Sequence, residues 1–325
     1  MKSKNLFIIV MSGLLIVLLL TSTSALIMSG MKEEPKRVSV VVDDSSSVRW
    51  DSFYAGLKQA ARDYGVKLNI VATGKNLTLN QQYSLINDEI AKGASGVIVQ
   101  FNNSMATESM IAAISQKAVL ELVETNVDAD VNVEGNYACI KPDDLELGRA
   151  LANEVRIGAG NDLSDKKIGV VMGNQKLYSM KDRFQGFTEN IESSGAEIVW
   201  QEVGMIHASD NIRVKQEYFY ADIIVALDND GLEAACEYAG SSDEKPLIFG
   251  EGISIKNVSY LDDGLMCSMV VPNEYYMGYQ SLSGVVRRIN NRLTPMQDET
   301  VGFRVVNRDN MFDESNQSLL FPIVE

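Results

Sequence analysis

The chain has 325 residues, 46% hydrophobic and 22% charged, a balance that excludes a disordered protein and suits two domains of common size. Its 29 Lys and Arg against 44 Asp and Glu leave a net charge of −15, which repels nucleic acid and anionic lipid and argues against a nucleic-acid role.

The first thirty-one residues read as one topological segment. Lys2 and Lys4 precede an apolar run from Leu6 to Leu20, and no further charge appears before Lys32. The uncharged span from Asn5 to Met31 is long enough for a membrane-crossing helix, so 1–31 is expected to be a signal-anchor. A cleaved signal peptide competes with that reading, because Thr23-Ser24-Ala25 resembles a small-residue cleavage site. The segment carries no Cys for a lipoprotein anchor, and either reading sends the remainder out of the cytoplasm, anchored to the membrane or secreted. Residues 32–36 are a linker.

Beyond it, strand and helix patterns alternate. Arg37–Val42 reads as a strand and Trp50–Tyr64 as a helix with Phe53, Leu57, Ala60 and Ala61 on one face, Ser47 as its N-cap and Gly65 as its stop. Strand 68–72, helix 80–92, strand 96–100, helix 107–116 and strand 119–123 follow. A second series opens with strand 136–140 and helix 143–157. It continues through strand 167–172, helix 179–194, strands 197–202 and 223–227, helix 231–239, and strands 247–250 and 265–271. The long helix Glu274–Asn290 comes next, and the tail from Gly302 reads as mostly extended.

Polar clusters stand where the strands end. Asp43 to Ser47, Glu124-Thr125-Asn126, Asp228-Asn229-Asp230 and Glu251 each close an apolar run. In a parallel α/β sheet, ligands bind outside the carboxyl ends of the strands, so these side chains are placed to hold a small polar molecule. Cys139, Cys236 and Cys267 are odd in number, widely spaced and without a CxxC pair, and read as buried small hydrophobes. The single histidine, His207, leaves no zinc site or nucleophilic triad, and no metal or cofactor is expected.

Five local motifs in order carry a family resemblance. They are Phe53-Tyr54-Ala55-Gly56-Leu57-Lys58-Gln59-Ala60-Ala61, the run Lys92 to Val99, Asp143-Asp144-Leu145-Glu146-Leu147-Gly148, Arg183-Phe184-Gln185-Gly186-Phe187 and Tyr276-Met277-Gly278-Tyr279. Together with the element order they resemble the type I periplasmic sugar-binding proteins, the ribose- and galactose-binding family. The resemblance implies an α/β fold of two doubly wound, Rossmann-like lobes joined by a three-segment hinge. Residues 37–142 and 273–301 would form the N-terminal lobe, and 143–272 and 302–325 the C-terminal lobe.

It also implies an inter-lobe cleft that holds a sugar between aromatic faces and polar side chains. Carried onto this sequence, the cleft residues are Ser47, Trp50, Glu124, Thr125, Arg183, Asp228, Glu251 and Asn273. Arg49 stands where the family often has a second aromatic, and Pro272-Asn273 where it often has Gln, so those two contacts depart from the pattern. Each residue also has a plain structural role open to it: Trp50 as core, Ser45–Ser47 as helix caps, Glu124 and Asp228 as turn residues, Arg183 as a surface ion pair.

Three carboxylates, Glu124, Asp228 and Glu251, beside Arg183 alone favour a neutral or amino monosaccharide-like ligand over an anionic one. The expected function is extracytoplasmic binding of such a ligand, passed to the membrane permease of an ABC importer or reported to a sensor histidine kinase. A glycoside-processing enzyme using paired carboxylates is the alternative, and the resemblance argues against it.

Overall fold

The computed structural model describes residues 11, 13–19, 21–22, 35–75, 77–125, 127, 135–192, 194–204 and 206–321. Residues up to Lys36 and those from Arg37 onward are two separate units. In the first, residues 13–19 and 21–22 are helical, and the Thr21 and Ser22 hydroxyls donate to the Leu18 and Leu19 carbonyls. No helix of the described residues is long and apolar enough to cross a membrane. Most of the expected 1–31 anchor or signal segment lies outside the described residues.

The larger unit holds two six-stranded sheets. In the first, the strand order is β11-β5-β4-β3-β1-β2, with β1 Arg37–Val41, β2 Lys67–Ile70, β3 Ala94–Val99, β4 Val119–Val123, β5 Tyr137–Pro142 and β11 Glu299–Val301. In the second it is β12-β10-β9-β8-β6-β7, with β6 Lys167–Met172, β7 Glu197–Val203, β8 Ile223–Ala226, β9 Leu247–Glu251, β10 Ser268–Pro272 and β12 Phe303–Asn307. All pairings are parallel except β10 with β12. The α/β fold is therefore two doubly wound lobes, and the chain passes between them at 142–144, 272–274 and 301–303. These passages lie side by side: Val301 registers with Pro142, Phe303 with Pro272, and Asn273 N–H donates to Gly302 O at 3.0 Å.

Helices cover both faces of each sheet because the parallel strands are apolar on both sides. On the first sheet, α1 (Asp51–Tyr64) and α9 (Glu274–Asn290) pack Phe53, Leu57, Met277 and Val285 against Val38 and Val40. The opposite face receives Ile86 of α2 (Leu79–Ala91) and Ile111 and Ile114 of α3 (Glu108–Ser115). On the second sheet, α4 (Asp144–Gly158) and α5 (Tyr178–Ile191) bring Leu147, Leu151 and Phe187 to one face. Its other face is covered by α6 (Ala208–Tyr218), α7 (Asn229–Ser241), α8 (Ile255–Asp262) and α10 (Glu314–Leu320).

Two helix crossings explain the family motifs. A Cβ on Gly56 of α1 would stand 2.0 Å from the Tyr275 carbonyl oxygen of α9, and one on Gly278 would stand 2.0 Å from that of Phe53. In the second lobe the same holds for Gly148 against Arg183 O and Gly186 against Leu145 O, both at 2.0 Å. Each of these four glycines is thus a place where two helix backbones touch, and each crossing fixes helices that flank the space between the lobes.

Several elements differ from the sequence reading. The stretch between β7 and β8, read as strand following strand, contains α6, whose buried face is only Ala208, Ile212 and Gln216. The short helices α8 and α10 and the three-residue strand β11 were also not anticipated, and the tail is extended only over β12. Ser47 precedes a single 3-10 turn, Val48–Trp50, and its side chain makes no capping bond, while Gly65 ends α1 at φ 63° as expected. The three cysteines are free, Cys139 and Cys236 buried and Cys267 partly so.

Candidate ligand-binding cleft

The lobes face each other through the carboxyl ends of their strands. Loops after β3 and β6 join across the gap: Ser104 N–H donates to Lys176 O at 3.0 Å, Tyr178 N–H to Ser104 Oγ at 3.1 Å and Asn174 Nδ2 to Asn102 O at 2.6 Å. Behind these contacts lies a buried cluster of charge built from both lobes.

Arg183, one turn into α5, is its best-connected member and only 6% exposed. Nη1 donates to Leu227 O at 2.5 Å and to Glu251 Oε2 at 3.0 Å, and Nη2 donates to Asp144 Oδ1 at 2.8 Å. Asp144 is the first residue of α4, so the α4–α5 crossing at Gly148 and Gly186 sets this pair. The first lobe repeats the plan. Arg49, in the turn before α1, donates from Nη2 to Glu124 Oε2 at 2.5 Å. Glu274, the first residue of α9, is 2% exposed and interacts electrostatically with the same guanidinium. Each lobe therefore sets an arginine near an acid at the first position of a helix that begins just past a lobe crossing, where the helix dipole favours negative charge.

Burial governs the ionisation of these groups. It pushes Glu251 up to about 7 and Asp144 up to about 6, in each case against the lowering pull of Arg183. Burial, with Glu124 adding to it, raises Glu274 well above the usual range. Asp228 is raised by burial too, opposed by the Gly231 N–H. Burial disfavours the charge on Arg49 and Arg183, but the surrounding carboxylates outweigh it and both are raised.

The eight residues expected from the sequence meet varied ends. Glu124, Arg183 and Glu251 belong to the cluster, and Glu124 adopts a left-handed backbone, φ 51°, that side chains rarely take. Asp228 accepts from Gly231 N at 2.7 Å to cap α7, and a Cβ on Gly173 would stand 2.2 Å from its Oδ2. Thr125 is fully buried and its Oγ1 accepts from Phe101 N at 2.9 Å, anchoring the loop after β3. Asn273 caps α9 through Tyr276 N at 3.0 Å. Ser47 is partly exposed beside the 3-10 turn. Trp50 is 1% exposed; its Nε1 donates to Asp43 O at 3.0 Å and Arg49 lies over its ring, 4.0 Å from the centroid.

Arg183 is thus not the sole cation, because Arg49 supplies a second. Asp144 and Glu274 went unrecognised, since an acid opening a helix reads as an ordinary dipole or capping residue. Their signal was the repeated pair Asp143-Asp144 and Asn273-Glu274, each placed directly after a strand.

Six buried side-chain polar atoms among the described residues have no hydrogen-bond partner. Four of them, Asp43 Oδ1, Asp144 Oδ2, Arg183 Nε and Glu274 Oε2, belong to residues around this cleft. Unpaired buried groups cost about 1–3 kcal/mol each, so their concentration here fits a place built for a polar ligand.

A buried cluster of paired charge thus lies between two α/β lobes. Residues 38–292 match the periplasmic binding protein domain, and the chain belongs to that family. Its fold is also that of solved sugar-binding proteins. A carbohydrate transporter solute binding protein from Agrobacterium radiobacter, in complex with D-arabinose, superposes with a TM-score of 0.79 at 15% identity, covering 89% of this chain and 100% of that one. GanP, a glucose-galactose binding protein from Geobacillus stearothermophilus, gives 0.75 at 15% identity over 86% and 100%. XylFII, solved in a XylFII-LytSN complex, gives 0.72 at 15% identity over 85% and 99%. No curated protein matches the sequence.

Proposed function

We propose that this chain is an extracytoplasmic receptor for a neutral or amino monosaccharide, held in the cleft between the lobes and handed to a sugar ABC importer. The observation that carries the reading is the set of four unpartnered buried atoms around one arginine–carboxylate cluster. Sugar hydroxyls and an amino group donate to carboxylate oxygens, while a ring or hydroxyl oxygen accepts from Arg183 Nε. Five acidic groups (Glu124, Asp144, Asp228, Glu251, Glu274) surround two guanidiniums that are already paired, and the acids whose protons burial retains can both donate to and accept from sugar hydroxyls, which favours a neutral or amino sugar over a phosphorylated one. Of the sequence-derived residues, Glu124, Arg183, Asp228 and Glu251 are the proposed contacts, joined by Arg49, Asp144 and Glu274. Trp50, Thr125, Ser47 and Asn273 shape and support the cleft. The proposed moving bodies are 37–142 with 273–301 and 143–272 with 302–325, closing by hinge rotation at the three crossings.

A second reading concerns the partner. An uncharged span from Asn5 to Met31 would keep the receptor at high effective concentration beside a membrane protein, which suits reporting to a sensor kinase. The XylFII-LytSN complex, a structural neighbour seated on another protein, supports that the fold serves such assemblies.

Calorimetry against neutral, amino and phosphorylated monosaccharides, with wild type and Glu274→Gln, tests the proposal. Saturable binding of a neutral or amino sugar that weakens at least about 10-fold in Glu274→Gln is expected. Binding confined to phosphorylated sugars would overturn it. Crosslinking in native membranes distinguishes a permease from a kinase partner.

A further inference from the structure

A second polar cavity lies in the first lobe, away from the cleft. It has a volume of about 320 Å³ and is lined by Glu121 of β4, Gln280, Gly284 and Arg287 of α9, and Asp298 and Glu299 at the start of β11. Gly284 is ten residues along α9 from Glu274, about 15 Å at the helical rise, so the two sites are separate.

Glu121 is the unusual member. It sits mid-strand in a parallel sheet, a position that ordinarily holds an aliphatic side chain. It is only 4% exposed and has no hydrogen bond or ion pair among the described residues. A Cβ on Gly284 would stand 3.3 Å from Glu121 Oε2, so the glycine, costly inside a helix, leaves room in front of the carboxylate. Asp298 and Glu299 each spend one oxygen on the protein: Asp298 Oδ1 accepts from Cys139 N at 2.8 Å and Glu299 Oε1 from Tyr276 OH at 2.8 Å. The other oxygen of each has no bond among the described residues. Arg287 at the rim partly offsets the charge and leaves the lining net negative.

We propose that this cavity binds a small primary ammonium ion, with Glu121 at its floor and Asp298 and Glu299 at its mouth. An ammonium has three N–H donors and no acceptor, which matches three carboxylates that each retain an open oxygen. Burial, reinforced by Asp298 and Glu299 and only partly opposed by Arg287, raises the Glu121 carboxyl, so a bound cation adds to the compensation Arg287 begins. The site also borders two lobe crossings, since Glu299 pairs with Ile140 and both strands run directly into the hinge.

The test is calorimetric titration of the full chain with ethylammonium chloride at constant ionic strength. Tetramethylammonium chloride is the comparison, as it has the same charge and no N–H donors. Saturable binding of ethylammonium alone is expected, weakened about 10-fold or more by Glu121→Gln and several-fold by Asp298→Asn. Both substitutions keep side-chain size and an acceptor oxygen, and thermal melts matching wild type would show that the fold is kept. The proposal fails if wild type gives no saturable ethylammonium binding, if tetramethylammonium binds as well, or if Glu121→Gln binds unchanged.

Discussion

Arg183 and Asp144 meet at 2.8 Å at the point where α4 and α5 cross backbone to backbone, and each keeps one polar atom unpartnered. The pair is held by main-chain contact at Gly148 and Gly186 rather than by its own attraction. The charges are thus placed before a ligand arrives, and ligand binding need not order them.

Arg183→Ala should lower unfolding stability by about 3–5 kcal/mol at pH 8, because Asp144 and Glu251 lose their shared partner inside the protein. Arg183→Lys should recover part of this, as a point charge cannot reach Leu227 O, Glu251 and Asp144 together. Urea denaturation of the three proteins measures the difference, and equal midpoints would show that the pair contributes nothing.

Stability of the ligand-free protein should fall as pH rises. Glu251 and Asp144 hold protons more tightly folded than unfolded, at about 7 and about 6 against ordinary values of 4.5 and 3.8. Their contribution is therefore full below pH ~4 and is lost as pH passes through 6 to 7, with ~3 kcal/mol at stake for Glu251. Thermal melts from pH 4.5 to 8 should show the decline, and Glu251→Gln should flatten it.

Gly186→Ala should destabilise the chain by at least ~2 kcal/mol and abolish ligand binding, because the new Cβ would collide with Leu145 O. Gly302→Ala, with open space around it, should melt near wild type. A Gly186→Ala protein as stable as wild type would mean that the helices separate freely.

Trp50→Phe should remove the Nε1 bond to Asp43 O and weaken the contact with Arg49, at about 1–2 kcal/mol. In a Trp200→Phe background the remaining Trp50 emission should shift on addition of the bound sugar. Unchanged emission at saturating sugar would place the ligand away from Arg49.

Strand-end acids such as Glu124, Asp228 and Glu251 were legible because an apolar run followed by a carboxylate has one common meaning in a parallel sheet. Arg183 was legible through its motif. Asp144 and Glu274 were not, because their role depends on which helices follow a lobe crossing and which arginine then faces them, and both are decided by tertiary contact rather than by local pattern. Helix α6 was hidden for another reason: only three of its eleven residues are buried, so the periodicity that marks α1 and α4 is nearly absent. Arg49 was seen as a missing aromatic, and its place over Trp50 and against Glu124 emerges only from the folded turn.

The antiparallel strand β12 has a consequence for biosynthesis. It covers β10, whose five residues are all buried, yet it is translated after every other strand of its sheet. Until residue 307 has left the ribosome, the nascent second lobe carries a bare hydrophobic strand edge, open to pairing with another chain. Export of the unfolded polypeptide before that edge forms would spare the cell this hazard.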